Sequence, residues 1–200
     1  TIPSLIDKKY VYGRGEEYNH ISFLFFSDQS CLNYVERLKK SFKNFFEVLN
    51  KVKVKKEDFS QYCQPNIKKL IDSGYIILDK DGYMGLKNHI LISILKDLYF
   101  NEVITYWKYP KIAREIIDEL EKNKMVCFES SLFSKLESDY INYFLNKAKF
   151  NNGYDLRNKY AHIQPNIDND KVHYENYMRF LRIFILTVIK INDEFCTLED

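Results

Sequence analysis

Apolar residues recur at helical spacing over most of the second half of the chain. Across residues 88–108 they are Ile90, Ile94, Leu95, Leu98, Val103 and Ile104, and such steps put one face of a helix toward a core. Pro110 ends that element and begins the next, which runs to about Asn123 through Ile112, Ile116, Ile117 and Leu120. Ser130 or Ser131 starts a helix to about Lys149, with Leu132, Leu136, Tyr140, Tyr143, Phe144 and Ala148 inward. The last helix, from about Val172 to Phe195, carries a stripe of Tyr177, Leu181, Phe184, Val188, Ile191 and Phe195. Phe180, Ile183, Ile185 and Ile189 widen that stripe past one face. A helix apolar over most of its circumference is sunk in a bundle or shared with a second subunit.

The first half is mixed. Residues 1–27 read as irregular or strand-like, and the run Ile21 to Phe26 suits a buried strand or the entry to a helix. Asp28 or Ser30 is placed to cap a helix reaching about Asn50, with Leu38, Phe42, Phe45, Phe46 and Leu49 at helical spacing. Pro65 suits a first helical position, followed by Ile67, Leu70 and Ile71, and Gly74 stops that helix. Tyr75 to Leu78 is then a strand, Asp79 to Gly82 a turn and Tyr83 to Leu86 a second strand. Helix followed by hairpin resembles the end of a winged helix-turn-helix. The expected fold is therefore mainly α: a mixed α/β portion over 1–86, winged-helix-like in part, and a helical bundle over 87–200.

Composition changes this picture little. A 46% hydrophobic chain of 200 residues can bury a core. The net charge of +2 is too small to argue for nucleic acid by itself. Eight basic residues and one acid, Glu47, lie between Arg37 and Lys56, a pattern shared by solvated helix faces. Cys31, Cys63, Cys127 and Cys196 are far apart, and so are His20, His89, His162 and His173. Neither set has metal-ligand spacing, so the sequence implies no metal and no cofactor, and the thiols read as reduced and cytoplasmic. No signal peptide is visible, and the apolar run from Phe180 to Ile191 is broken by Arg182 and Lys190, so no membrane span is expected. The chain begins at Thr1 rather than Met, as a trimmed chain or a piece of a longer protein would.

Candidate chemistry is concentrated in residues 150–163, Phe-Asn-Asn-Gly-Tyr-Asp-Leu-Arg-Asn-Lys-Tyr-Ala-His-Ile. Asn151, Asn152 and Gly153 signal a turn, and Asp155 is placed to cap the helix that follows. On a helix, Leu156, Tyr160 and Ile163 share an apolar stripe, and Asp155, Asn158 and His162 share a polar one. Arg157 lies on a third line, with the small Ala161 between it and His162. A histidine can take a proton near neutral pH. An arginine offers a planar, permanently charged fork to phosphate oxygens. The bland alternative is a local Asp155–Arg157 pair with His162 a satisfied polar residue at a helix end.

The order Arg157, Asn158, His162 resembles the Arg-Asn-x-x-x-His signature of the HEPN superfamily, many of whose members are metal-independent ribonucleases of bacterial toxin and defence systems. The resemblance is specific over about 14 residues and looser over 130–195. It implies an endoribonuclease that cuts RNA by 2′-hydroxyl attack. Arg157, Asn158 and His162 would be catalytic, and Lys159, Asp155 and Tyr160 would contact substrate. It also implies a homodimer with a composite cleft, because one histidine cannot be base and acid at once. An antitoxin or sensor protein is the further partner of such systems. One departure is that relatives commonly carry Gly after the histidine, where this chain has Ile163-Gln164-Pro165. Other members of the superfamily are non-catalytic, so a helical dimerisation or interaction domain is the alternative, and a winged-helix DNA-binding regulator the third.

Overall fold

A computed structural model describes residues 2–161 and 169–199. The chain is mainly α, with eight α-helices and small antiparallel sheets among the described residues. It divides into two compact units, residues 10–128 and residues 1–9 with 129–200. The boundary expected near residue 87 is thus replaced by one near 129, and residues 1–9 join the C-terminal part.

Residues 10–128 hold the large core. They begin with strand β1 (Tyr10–Gly13) and helix α1 (Gly15–Phe26), which buries Ile21, Leu24, Phe25 and Phe26. The run at Ile21 is therefore helical, and the strand lies upstream of it. The helix expected from residue 28 or 30 to 50 is instead a series of short pieces. Ser30 does cap, but its hydroxyl accepts from Leu32 N–H to close only a 3-10 turn. Strands β2 (Tyr34–Val35) and β3 (Lys40–Ser41) then pair around Lys39, which sits in the left-handed region at φ +48°. Asn44 restarts a helix, α2 (Phe45–Lys51), by accepting from Glu47 N–H. The aromatic spacing is satisfied because Phe42, Phe45 and Phe46 reach the same core from both sides of that cap.

Helix α3 (Gln64–Asp72) and the hairpin β4 (Ile76–Leu78) with β5 (Met84–Leu86) form where the sequence predicts them. Gly74 stops α3 at φ +76°, a conformation glycine adopts without strain. Asp79 holds the turn by accepting from the N–H groups of Asp81 and Tyr83. Helix α4 (His89–Asn101), capped by Asn88, ends earlier than its periodicity suggests. Val103 and Ile104 belong to strand β6 (Val103–Thr105), which pairs with β1. Helix α5 (Lys111–Lys122) follows Pro110, and strand β7 (Val126–Glu129) completes a sheet in the order β6-β1-β7. This is why no break falls at 87. Ile92, Ile94, Leu95 and Leu98 of α4 are buried in the same core as Phe25, Phe45 and Ile67.

The other unit is helical. Helix α6 (Lys135–Leu145) starts later than Ser130 or Ser131 and stops before Lys149. Its cap is Ser134, whose hydroxyl accepts from Glu137 N–H while the Glu137 carboxylate takes Ser134 N–H. The three-residue shift changes which side faces inward, so Leu136, Tyr140 and Ala148 are exposed. Helices α7 (Leu156–Ala161) and α8 (Asp170–Glu199) follow. Segment 2–9 runs beside residues 130–132, with Leu132 N–H on Ile2 O and Ser4 N–H on Ser130 O. Among the described residues of this unit, Ile6, Leu132, Leu156 and Ile183 are the buried members of an otherwise thin apolar core.

Candidate functional site

The turn before α7 is built from aromatic rings. Tyr154 stacks on Phe144 at 5.3 Å with the planes 8° apart, and Tyr143 meets both Phe150 and Tyr154 edge-on. Gly153 passes so close to the end of α6 that an added Cβ would lie 2.6 Å from Tyr143 O. Asp155, at φ +55°, turns the chain into α7, and its carbonyl accepts from Lys159 N–H. Its carboxylate accepts from Asn158 Nδ2 at 2.8 Å. Asp155 thus bonds Asn158, one turn on, and not Arg157 as the bland reading proposed.

Leu156 anchors α7 by burial, as its place on the apolar stripe requires. Arg157 and Asn158 are exposed, and Lys159 is half-buried. His162 and Ile163 lie outside the described residues. Arg157, Tyr160 and Ala161 line a cleft of about 520 Å³ with Leu145, Leu156, His173, Asn176, Tyr177 and Phe180. The lining is mostly apolar and aromatic, with few polar groups.

Those polar groups are linked. Asn176, buried on α8, donates from Nδ2 to Tyr160 Oη at 3.1 Å. Its Oδ1 accepts from Arg179 Nη1 at 3.0 Å. Arg179 is braced by Glu175 and lies 4.3 Å over the Tyr154 ring. Tyr160 Oη is also 3.0 Å from Nδ1 of His173. Sequence reading assigned Tyr160 to substrate contact and left His173, Asn176 and Arg179 without a role. The signal available was their spacing, since His173, Asn176 and Arg179 recur every three residues on α8.

The faces of α8 are inverted relative to an ordinary amphipathic helix. Its buried or half-buried line is Asn176, Arg179, Ile183, Thr187, Lys190 and Glu194, mostly polar. Lys190 on that line meets Glu137 at 2.8 Å. Burial raises the Glu137 carboxyl, but Lys190 and the Ser134 cap outweigh it and hold it below the usual range. The predicted apolar stripe points away. Tyr174, Tyr177, Phe184, Val188, Ile191, Phe195 and Leu198 are 38–64% exposed. With Leu181 they form steps of three and four residues from 174 to 198, the a/d repeat of a helix that packs against another helix.

Among the described residues, no helix is long and apolar enough to cross a membrane, and no group of three His, Cys, Asp or Glu side chains is placed to hold a metal ion. Compared with protein-family models, curated proteins and solved structures, the chain finds no match.

Proposed function

We propose that residues 129–199 with segment 2–9 form a HEPN-like helical domain that cleaves RNA without a metal. The observation that supports this reading is Arg157, from the Arg-Asn-x-x-x-His motif, lining a cleft between α7 and α8. A guanidinium at the rim suits a phosphate, and the aromatic wall suits an unpaired base. In this mechanism His162 exchanges a proton with the ribose, and Arg157 stabilises the charge that develops on phosphorus. The 2′-oxygen displaces the 5′-oxygen and leaves a 2′,3′-cyclic phosphate. Asn158, Lys159 and Asp155 shape the edge of the site, with Asp155 holding Asn158.

Assembly is part of the same proposal. About ten half-exposed large side chains on α8, at roughly 100 Å² each, supply the order of 800 Å² that a stable interface takes from each partner. The a/d seam matches itself about a two-fold axis, so the partner is a second copy. The system would act in the cytoplasm on cellular RNA, and an antitoxin or sensor protein would restrain it.

The seam also favours the second reading, a non-catalytic dimerisation domain of a larger protein, since it serves either role. For residues 10–128 the proposed architecture is winged-helix-like, from α3 and its hairpin. A DNA-binding role ranks last, because Asp79 and Asp81 flank Lys80 at the hairpin tip and would repel phosphate.

The test is purified protein on mixed RNA, with and without EDTA. Cleavage that survives EDTA and is lost in both His162→Ala and Arg157→Ala supports the nuclease. Cleavage retained by His162→Ala, or lost in EDTA, rejects this mechanism. A folded dimer that cleaves nothing supports the scaffold reading.

A further inference from the structure

Strand cleavage by 2′-hydroxyl attack moves two protons. One leaves the 2′-oxygen as the O2′–P bond forms. One reaches the 5′-oxygen as the P–O5′ bond breaks, giving a cyclic phosphate and a 5′-hydroxyl. His162 can carry one of these. Resting on the nuclease reading, we infer that His173 of the same chain carries the other, and that Tyr160 and Asn176 hold it in the tautomer the reaction needs.

The argument runs through the hydrogen bonds in order. Arg179 has only donors, so the atom of Asn176 that faces it is the acceptor Oδ1. The amide of Asn176 is therefore oriented, and Nδ2 points to Tyr160 Oη. Asn176 is 4% exposed, so this orientation is not exchanged for water. Tyr160 Oη accepts from Asn176 and retains a lone pair directed at His173 Nδ1, 3.0 Å away. With the Nδ1 proton donated to that oxygen, Nε2 is the nitrogen that gains and loses a proton. His173 lines the same cleft as Arg157, so the proton donor and the phosphate-binding group serve one substrate. Among the described residues around His173, α7 contributes Arg157 and Tyr160, and α8 contributes Glu175 and Arg179 through Asn176.

Tyr160 and Asn176 are positioning residues here, and His173 is the proton-transfer residue. Each cleft then contains two histidines of its own, and catalysis does not need a histidine from the other subunit.

The experiment measures RNA cleavage against pH for wild type, His173→Ala, His173→Gln and Tyr160→Phe, with thermal melting of each. The two His173 variants are expected to lose about 10²-fold or more in kcat with KM little changed, and to lose one limb of a bell-shaped pH profile. Tyr160→Phe should lose less activity and displace that same limb. Nitrogen-15 NMR of the histidine rings should show the Nδ1–H tautomer of neutral His173 in wild type, and a mixture in Tyr160→Phe. His173→Gln that folds and cleaves like wild type, beside inactive His162→Ala, overturns this inference and leaves the nuclease reading intact. Wild type that cleaves nothing overturns both. A neutral His173 carrying its proton on Nε2 overturns the inference whatever the activity.

Discussion

Lys9 and Glu194 form a buried ion pair, each side chain only 3% exposed. Both charges are fully engaged. The Glu194 carboxylate also accepts from the Ser4 hydroxyl and from Leu5 N–H, and Lys9 also donates to Leu132 O. Losing one member leaves the other charge buried without its counter-ion, which typically costs about 3–5 kcal/mol. Lys9→Met should therefore lower stability in a denaturant titration by that order. Lys9→Met combined with Glu194→Leu should cost less than either alone, because no unpaired charge remains. A double variant as damaged as the sum of the singles would show that the pair is not coupled.

The same carboxylate gives a pH dependence. Burial raises its pKa, but Lys9, Ser4 and Leu5 together outweigh burial and hold it below the usual range. A depressed carboxyl contributes stability that is complete above its unfolded pKa, about 4.3 for glutamate. That contribution fades as pH falls from there through the lower folded pKa. Unfolding free energy measured between pH 6 and 3 should drop more steeply below about pH 4.3 in wild type than in Glu194→Gln.

The seam on α8 predicts assembly. Sedimentation should show a dimer at micromolar concentration, and Phe184→Glu should give a monomer, since a charge at a d position must be desolvated to pair. Tyr12→Glu in the other unit would not test this, because it lies away from α8. A monomeric wild type at tens of micromolar would remove the two-fold assembly from the proposal.

Gly153 offers a test of the turn that presents α7. A Cβ there would meet Tyr143 O at 2.6 Å and Phe150 O at 3.1 Å, both backbone atoms. Gly153→Ala should cost about 1–3 kcal/mol, the usual range for forcing atoms into a packed site. The Tyr154–Phe144 stack should loosen with it, read as a change in near-ultraviolet circular dichroism.

The elements whose contacts are local were readable from the chain. Gly74, Asp79 and the apolar alternation specify α3 and its hairpin within about 25 residues. The strands β1, β6 and β7 were not, because each is three or four residues long and owes its form to a distant partner, as Tyr10 does to Thr105. Lys39 misled the reading from 28 to 50, since no pattern of apolar residues announces a left-handed lysine. For the site, the motif drew attention to α7 and the cleft confirms only that Arg157 and Tyr160 face a common space. His173 went unnoticed because its partnership with Tyr160 crosses from one helix to another, and spacing along one chain segment does not report that.

Because Lys9 finds its counter-ion 185 residues later, synthesis order has a bearing on when the molecule can work. A ribosome finishes everything the larger core needs once residue 128 has emerged, and that part can fold while translation continues. The cleft-bearing part cannot, since its first strap waits for nearly the last turn of α8. A chain that stops short, or a message cut before its end, would yield the folded mixed unit without a finished cleft. The circuit closes only on a completed product.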